Sequence, residues 1–347
     1  MQIDLRSDAA TLPSAAMRGA MAEAPVGDDR HGEDPTVNGL QEYTAELLGK
    51  EAALFVASGT MANQIALKVL TRPSDGVAVG KDSHIACHEL GAAAANAGVQ
   101  FTPLGETGLF NAQDLRTRFE KRNKAFEPPI TLVVVENTHN MSGGRVFPAQ
   151  DCSRIGALAN ELGISSYMDG ARLMNAAVYS GVSAATFAEQ FDMVGLSLSK
   201  GLGAPVGSVL AGSSDHIALA VRWRRILGGA MCQAGIIAAG GLYALQHNVE
   251  RLEEDHRHAK LIAEKLAQSP HLEIDPQSIC TNIVLFQLNT STLTASALVE
   301  ECKDRGVLIE AFSDRTLRLV THMDVDAEAC RFAADTIALA LQSSNSR

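Results

Sequence analysis

Asp192-Met193-Val194-Gly195-Leu196-Ser197-Leu198-Ser199-Lys200-Gly201-Leu202-Gly203-Ala204-Pro205-Val206-Gly207 reads as a short apolar strand that runs into a lysine held in a turn of small residues. Gly201, Gly203 and Gly207 permit backbone angles that other residues avoid, and Pro205 stiffens the loop. The arrangement presents one amine at the end of a strand with little bulk around it. A lysine that attacks a carbonyl needs such a setting, because the amine must reach the carbon and shed part of its hydration. Ser199-Lys200-Gly201 alone would suit a surface loop equally well. The segments that weigh against that reading lie upstream, at Asp169 and at Ser58-Gly59-Thr60.

Working back from the lysine, 164–168 reads as a strand ending in Asp169-Gly170-Ala171-Arg172, after a helix over 152–162. The run 130–135 is the clearest buried strand, followed by Glu136-Asn137-Thr138-His139-Asn140. A strand over 76–80 leads to Ser83-His84 and an alanine-rich helix over 89–98. A strand over 52–57 runs into Ser58-Gly59-Thr60 and a helix over 61–70, after a helix over 36–49. Strand, small polar turn and helix start aim free N–H groups at an anion, and phosphate is the obvious one. Alternating strands and helices predict an α/β fold with a mostly parallel sheet covered on both faces. Ligands of such sheets sit beyond the carboxyl ends of the strands, where Thr60, His84, Asp169 and Lys200 all fall.

Downstream, 208–211 reads as a strand returning from the lysine turn, and 227–235 is glycine-rich. One long helix is expected over 236–268, then a small α+β unit: strands at 272–274, 283–288, 307–309 and 316–320, helices at 294–305 and 326–341, and a disordered tail at 343–347. This divides the chain into a large domain, 1–250, and a small C-terminal domain, 251–347. Residues 1–35 read as an irregular polar segment lying over an active site in the large domain.

The chain has 347 residues, a formal net charge of −11 and six scattered cysteines. No apolar run reaches the roughly 20 residues of a membrane span, and no basic block suggests nucleic acid. The start lacks the basic and apolar regions of a secretory signal. The cysteines form no close pair, which argues against a disulfide framework or a zinc site and suits the reducing cytoplasm.

A phosphate cradle, an acid at a strand end and a lysine in a glycine turn are what pyridoxal 5'-phosphate asks for. Its phosphate needs N–H donors, its ring nitrogen a carboxylate and its aldehyde a lysine. His84 reads either as a capped histidine at a helix start or as a flat ring stacked on a cofactor.

With these residues in place, the sequence resembles the threonine aldolases of the fold type I pyridoxal-phosphate enzymes, within the beta-eliminating lyase superfamily. The resemblance runs along nearly the whole chain. It is carried by Leu5-Arg6-Ser7-Asp8, Val26-Gly27-Asp28-Asp29, Gly32-Glu33-Asp34-Pro35-Thr36, Ser58-Gly59-Thr60-Met61-Ala62-Asn63, His84, Glu136-Asn137-Thr138-His139-Asn140, Asp169-Gly170-Ala171-Arg172, Ser197-Leu198-Ser199-Lys200-Gly201-Leu202 and Arg318-Leu319-Val320-Thr321-His322. It implies that Lys200 carries the cofactor as a Schiff base, Asp169 pairs with the ring nitrogen and His84 stacks on the ring. Ser58, Gly59 and Thr60 would hold the phosphate. Ser7, Arg172 and Arg318 would grip the substrate carboxylate, Arg172 also lying near the cofactor's phenolic oxygen, and His31 would stand near the substrate. The family has a tyrosine where this chain has His31, an arginine where it has Cys232, and a histidine near Phe126.

The resemblance implies cleavage of L-β-hydroxy-α-amino acids, such as threonine, allo-threonine and aryl analogues, into glycine and an aldehyde. It also implies a homo-oligomer, a tetramer built as a dimer of dimers. No metal is expected in the site. Another enzyme on the same scaffold, a β-eliminating lyase or aminotransferase, reads the same at this level. A binding protein that kept the fold is disfavoured by the intact Lys200 and Asp169.

Overall fold

The computed structural model describes residues 2–122, 124–290 and 293–344. Seven strands form the main sheet in the order Ala52–Val56, Ser208–Gly212, Met193–Ser197, Ser165–Gly170, Ile130–Glu136, Gly76–Gly80, Gln100–Leu104. Ser208–Gly212 alone runs against its neighbours. Gly76–Gly80 and Met193–Ser197 are buried at every position, as strands covered on both faces must be. Val133 and Val135 enter one core, while Leu132 and Val134 enter the core on the opposite face, following the two-residue period of a strand.

A second, antiparallel sheet has the order Glu310–Ala311, Thr316–Val320, Ile283–Leu288, Leu272–Glu273. It forms a third core with the helices Leu252–Leu266, Ala295–Asp304 and Ala327–Ser344. Ile3–Asp4 pairs in parallel with Val307–Leu308, so Ile3 and Leu5 are buried in this third core.

The early segment is therefore less irregular than its polarity suggests. Besides that strand it contains the helix Ala15–Ala22, capped by the Ser14 hydroxyl on the Met17 N–H. The single helix expected over 236–268 is two, Gly235–His247 and Leu252–Leu266. The break falls at Asn248, whose amide donates to the Leu202 carbonyl at 2.7 Å and ties the junction to the lysine turn. The helix expected over 89–98 shrinks to Ala92–Asn96, because Leu90 and Gly91 have φ of 53° and 77°. The strand expected at 307–309 is two short pieces, Val307–Leu308 and Glu310–Ala311. The last helix runs to Ser344, two residues into the expected tail, and 345–347 lie outside the described residues.

The lysine turn follows its glycines closely. Gly203 and Gly207 have φ of 79° and 105°. Gly201 serves differently: a Cβ there would lie 2.9 Å from Leu252 Cδ2, so the turn sits flat against the helix Leu252–Leu266.

Candidate active site

Four strand ends converge. Glu136 and Asp169 are register partners at the ends of Ile130–Glu136 and Ser165–Gly170. Lys200 follows Met193–Ser197, and His84 follows Gly76–Gly80 as the first residue of the short helix His84–Cys87. A cavity of about 190 Å³ lies over these ends, lined among others by Ser7, His84, Arg172, Lys200, Glu310 and Arg318. Five residues singled out from the sequence thus share one space. His31 and Phe126 do not line it: His31 is exposed on a short turn of helix, and Phe126 is 87% exposed.

The Lys200 amine is buried beside an arginine. Burial pushes its pKa below the ordinary lysine value, and the nearby Arg172 guanidinium pushes the same way, against the pull of Asp8, Asp169 and Glu136. Its carbonyl accepts from the Thr11 hydroxyl at 3.0 Å, which binds the N-terminal segment to the lysine turn.

Asp169 is buried and held from both sides. Its Oδ1 accepts from the Ala171 N–H at 3.1 Å and its Oδ2 from the Asn63 amide at 2.9 Å. Asn63 is itself fixed: its carbonyl oxygen accepts from the Tyr167 hydroxyl at 2.7 Å, and its amide also donates to Glu89 at 2.7 Å. Glu89, buried, takes the Gln64 amide at 2.8 Å and faces His84 Nδ1 at 3.1 Å. The bond to Glu89 raises the His84 pKa, outweighing burial, with Asp169 adding in the same sense. The His84 N–H donates to Glu136 at 2.6 Å, and the Asn140 N–H to the other Glu136 oxygen at 2.8 Å.

Ser58-Gly59-Thr60 opens the helix Gly59–Leu70, with the Ser58 hydroxyl accepting from the Met61 N–H at 3.1 Å. The first-turn N–H groups of a helix have no intrahelical acceptor. Beside this turn is Ser208 Oγ, buried without a partner among the described residues and 3.5 Å from where a Cβ on Gly59 would lie. This donor set suits a phosphate. Arg224 is not part of it: its guanidinium is committed to the Phe55 carbonyl and to Asp29, each at 2.9 Å. Arg225 and Cys232 are exposed.

Sequence reasoning gave no role to Asp8, Asn63, Glu89, Glu136, Ser208 or Glu310. Asp8, Asn63 and Glu136 stood inside quoted motifs, and only their buried partners reveal what they do. Nothing in the one-dimensional pattern singles out Glu89 or Glu310.

The sequence profile of the beta-eliminating lyases matches residues 4–289. The chain belongs to this family. It is 41% identical over 328 residues to the low specificity L-threonine aldolase of Escherichia coli strain K12, a match covering 94% of this chain and 95% of that one. It is 38% identical over 329 residues to low-specificity L-threonine aldolase 1 of Arabidopsis thaliana, covering 93% and 92% of the two chains. Its fold superposes on the Leishmania major threonine aldolase with a TM-score of 0.80 at 20% identity, covering 96% of this chain and 98% of that one. Its architecture is the fold type I arrangement, with the large mostly parallel sheet expected from the sequence. Its site fits pyridoxal phosphate: a buried amine, a fixed carboxylate and, at the helix start, an unsatisfied hydroxyl.

Proposed function

We propose that the protein is a pyridoxal-phosphate-dependent aldolase that cleaves L-β-hydroxy-α-amino acids, L-threonine and L-allo-threonine among them, into glycine and an aldehyde. The full-length likeness to low-specificity L-threonine aldolases carries the reading. The geometry at Lys200 agrees with it.

Pyridoxal phosphate supplies an electron sink for the pair left on the α-carbon when the Cα–Cβ bond breaks. The protein's own residues do the rest. Lys200, its pKa lowered by burial and by Arg172, would hold the cofactor's aldehyde carbon. Asp169, locked by Asn63 and the Ala171 N–H, would hold a proton on the ring nitrogen. Gly59, Thr60 and Ser208 would take the phosphate, with Ser58 ordering the turn through its bond to Met61. His84 would lie against the ring. Ser7 and Arg318, at the cavity wall, would orient the substrate carboxylate. The β-hydroxyl proton needs a base within the cavity, where the His84 and His88 rings stand 5.7 Å apart.

We further take the working form to be a cytoplasmic homo-oligomer, a tetramer. Leu90 supports this, an apolar side chain wholly exposed at φ 53°, as do the exposed Leu219, Ile226 and Ile236. Among the described residues no helix is long and apolar enough to cross a membrane. A division near residue 250 is supported by the separate core of the second sheet.

The test is product analysis. The cofactor-loaded protein is incubated with L-threonine, L-allo-threonine and L-phenylserine. Glycine with acetaldehyde or benzaldehyde is expected, whereas a keto acid with ammonia or a transferred amino group would move the protein to a β-eliminating lyase or an aminotransferase.

A further inference from the structure

Arg318 sits on the strand Thr316–Val320 directly across from Glu310 on the strand Glu310–Ala311. Its guanidinium is nearly spoken for. Nη1 donates to Asn140 Oδ1 at 2.7 Å. Nη2 donates to the Arg6 carbonyl at 3.0 Å and to Glu310 Oε2 at 2.6 Å. Nε is buried with no acceptor among the described residues. Its Cζ lies 4.4 Å from the centre of the Phe312 ring.

A guanidinium grips a carboxylate through one of two forks, Nη1 with Nη2 or Nε with Nη2. Both forks use Nη2, and its two N–H groups already have two acceptors. A bidentate grip therefore requires one of them to leave. The Arg6 carbonyl is fixed by the chain, and Asn140 is anchored by its N–H on Glu136. Glu310 is the movable partner: its side chain is 42% exposed, against 9% for Arg318, and it lines the cavity.

We propose that Glu310 is a resident carboxylate that occupies Arg318 until the carboxylate of the incoming amino acid displaces it. One substrate oxygen takes the Nη2 N–H that Glu310 gives up, and the other takes the buried Nε–H. Glu310 is thus a specificity-determining residue: it sets the threshold a carboxylate must exceed to enter. The inference rests on the reading of Arg318 as the carboxylate anchor.

The test uses the cofactor-loaded full-length enzyme and three variants, with KM for L-threonine and the inhibition constant of propionate as readouts. Glu310→Gln weakens the internal competitor, so both constants should fall about two- to fivefold, the range of a partly exposed ion pair. Glu310→Asp keeps the charge but is one methylene too short for the contact, so it should also lower both constants. A merely repulsive field from the glutamate would leave Glu310→Asp at the wild-type values, and that result would overturn the proposal. So would higher constants in both variants, which would mean that Glu310 only holds Arg318 in place. Arg318→Lys tests the underlying reading: unchanged constants there would remove Arg318 as anchor, whatever the Glu310 variants do. Far-UV circular dichroism and a thermal melt check that each variant is folded.

Discussion

The Asp8 carboxylate meets the side edge of the Arg172 guanidinium, with contacts of 2.7 Å to Nε and 2.7 Å to Nη2. Both side chains are buried, and Asn282 adds a bond to Asp8 at 3.0 Å. Burial pushes the Asp8 carboxyl up, yet Arg172, Lys200 and Asn282 together hold it well below the usual carboxylate range. The Nε–Nη2 edge of Arg172 is thus already occupied, which favours the proposed role of Arg318 as the carboxylate anchor. Asp8→Ala strands a buried guanidinium and should cost about 3–5 kcal/mol of stability. A thermal melt indistinguishable from wild type would refute this.

Lys200→Ala should abolish turnover while the protein still folds. Borohydride reduction of the loaded wild type should fix the cofactor on Lys200, read by peptide mapping. Because burial and Arg172 lower the amine's pKa, the pH midpoint of cofactor uptake by the apoprotein should lie below 10.5. Label on another lysine would reassign the nucleophile.

His84 gives a signed pH effect. Its folded pKa is raised above 6.5 by Glu89, so the charged form is favoured by folding. The resulting stability is fully present below the ordinary histidine value and is lost as pH rises through the raised one. Glu89→Gln should remove it. The melting difference between wild type and this variant should be largest in acid and shrink across that window. A difference that stays flat with pH would disconnect Glu89 from His84.

Gly195 supports Asp169 at one remove. A Cβ on Gly195 would overlap the Tyr167 hydroxyl, which holds Asn63, which holds Asp169. Gly195→Ala should therefore weaken cofactor affinity as well as stability. Removing the hydroxyl alone, in Tyr167→Phe, leaves Asn63 one bond short and should cost about 1–3 kcal/mol. Calorimetric titration of apoprotein with pyridoxal phosphate measures the affinity. An unchanged value in Gly195→Ala would mean that Asp169 does not feel this relay.

The main sheet was legible because Ile130–Glu136 and Met193–Ser197 are mostly apolar runs that end in polar residues, and the parallel α/β order follows from their alternation with helices. Lys200, Asp169 and His84 were placed near strand ends by the same pattern, and the structure has them there, though for His84 the pattern left a capped histidine and a stacked ring equally open. What escaped depends on distant partners. Ile3–Asp4 is too short for a period to show, and only pairing with Val307–Leu308 makes it a strand. Gln100–Leu104 carries Pro103, which a propensity reading discounts and an edge strand tolerates. Glu89 looked like part of an alanine-rich helix, and the turn at Leu90 and Gly91 frees it to face Asn63 and His84. His31 was placed near the substrate by the resemblance, at the position of a family tyrosine, and in this chain it lies exposed on the short helix Asp29–His31.

The pairing of Ile3–Asp4 with Val307–Leu308 bears on how the molecule is made. Arg6 and Arg318 touch across 312 residues, and Asp8 touches Asn282 across 274. During synthesis the early segment, with Ser7, Asp8 and Thr11, must wait for its docking partners while the large sheet is already able to condense. The cavity can close only after the strand Thr316–Val320 has left the ribosome. A stalled or prematurely released chain would carry Lys200 and Asp169 on a formed sheet, with neither Arg318 nor Asn282 to finish the pocket. Contacts of such long range make the final docking slow relative to local helix formation. Competence for catalysis is thereby reserved for chains translated past Val320.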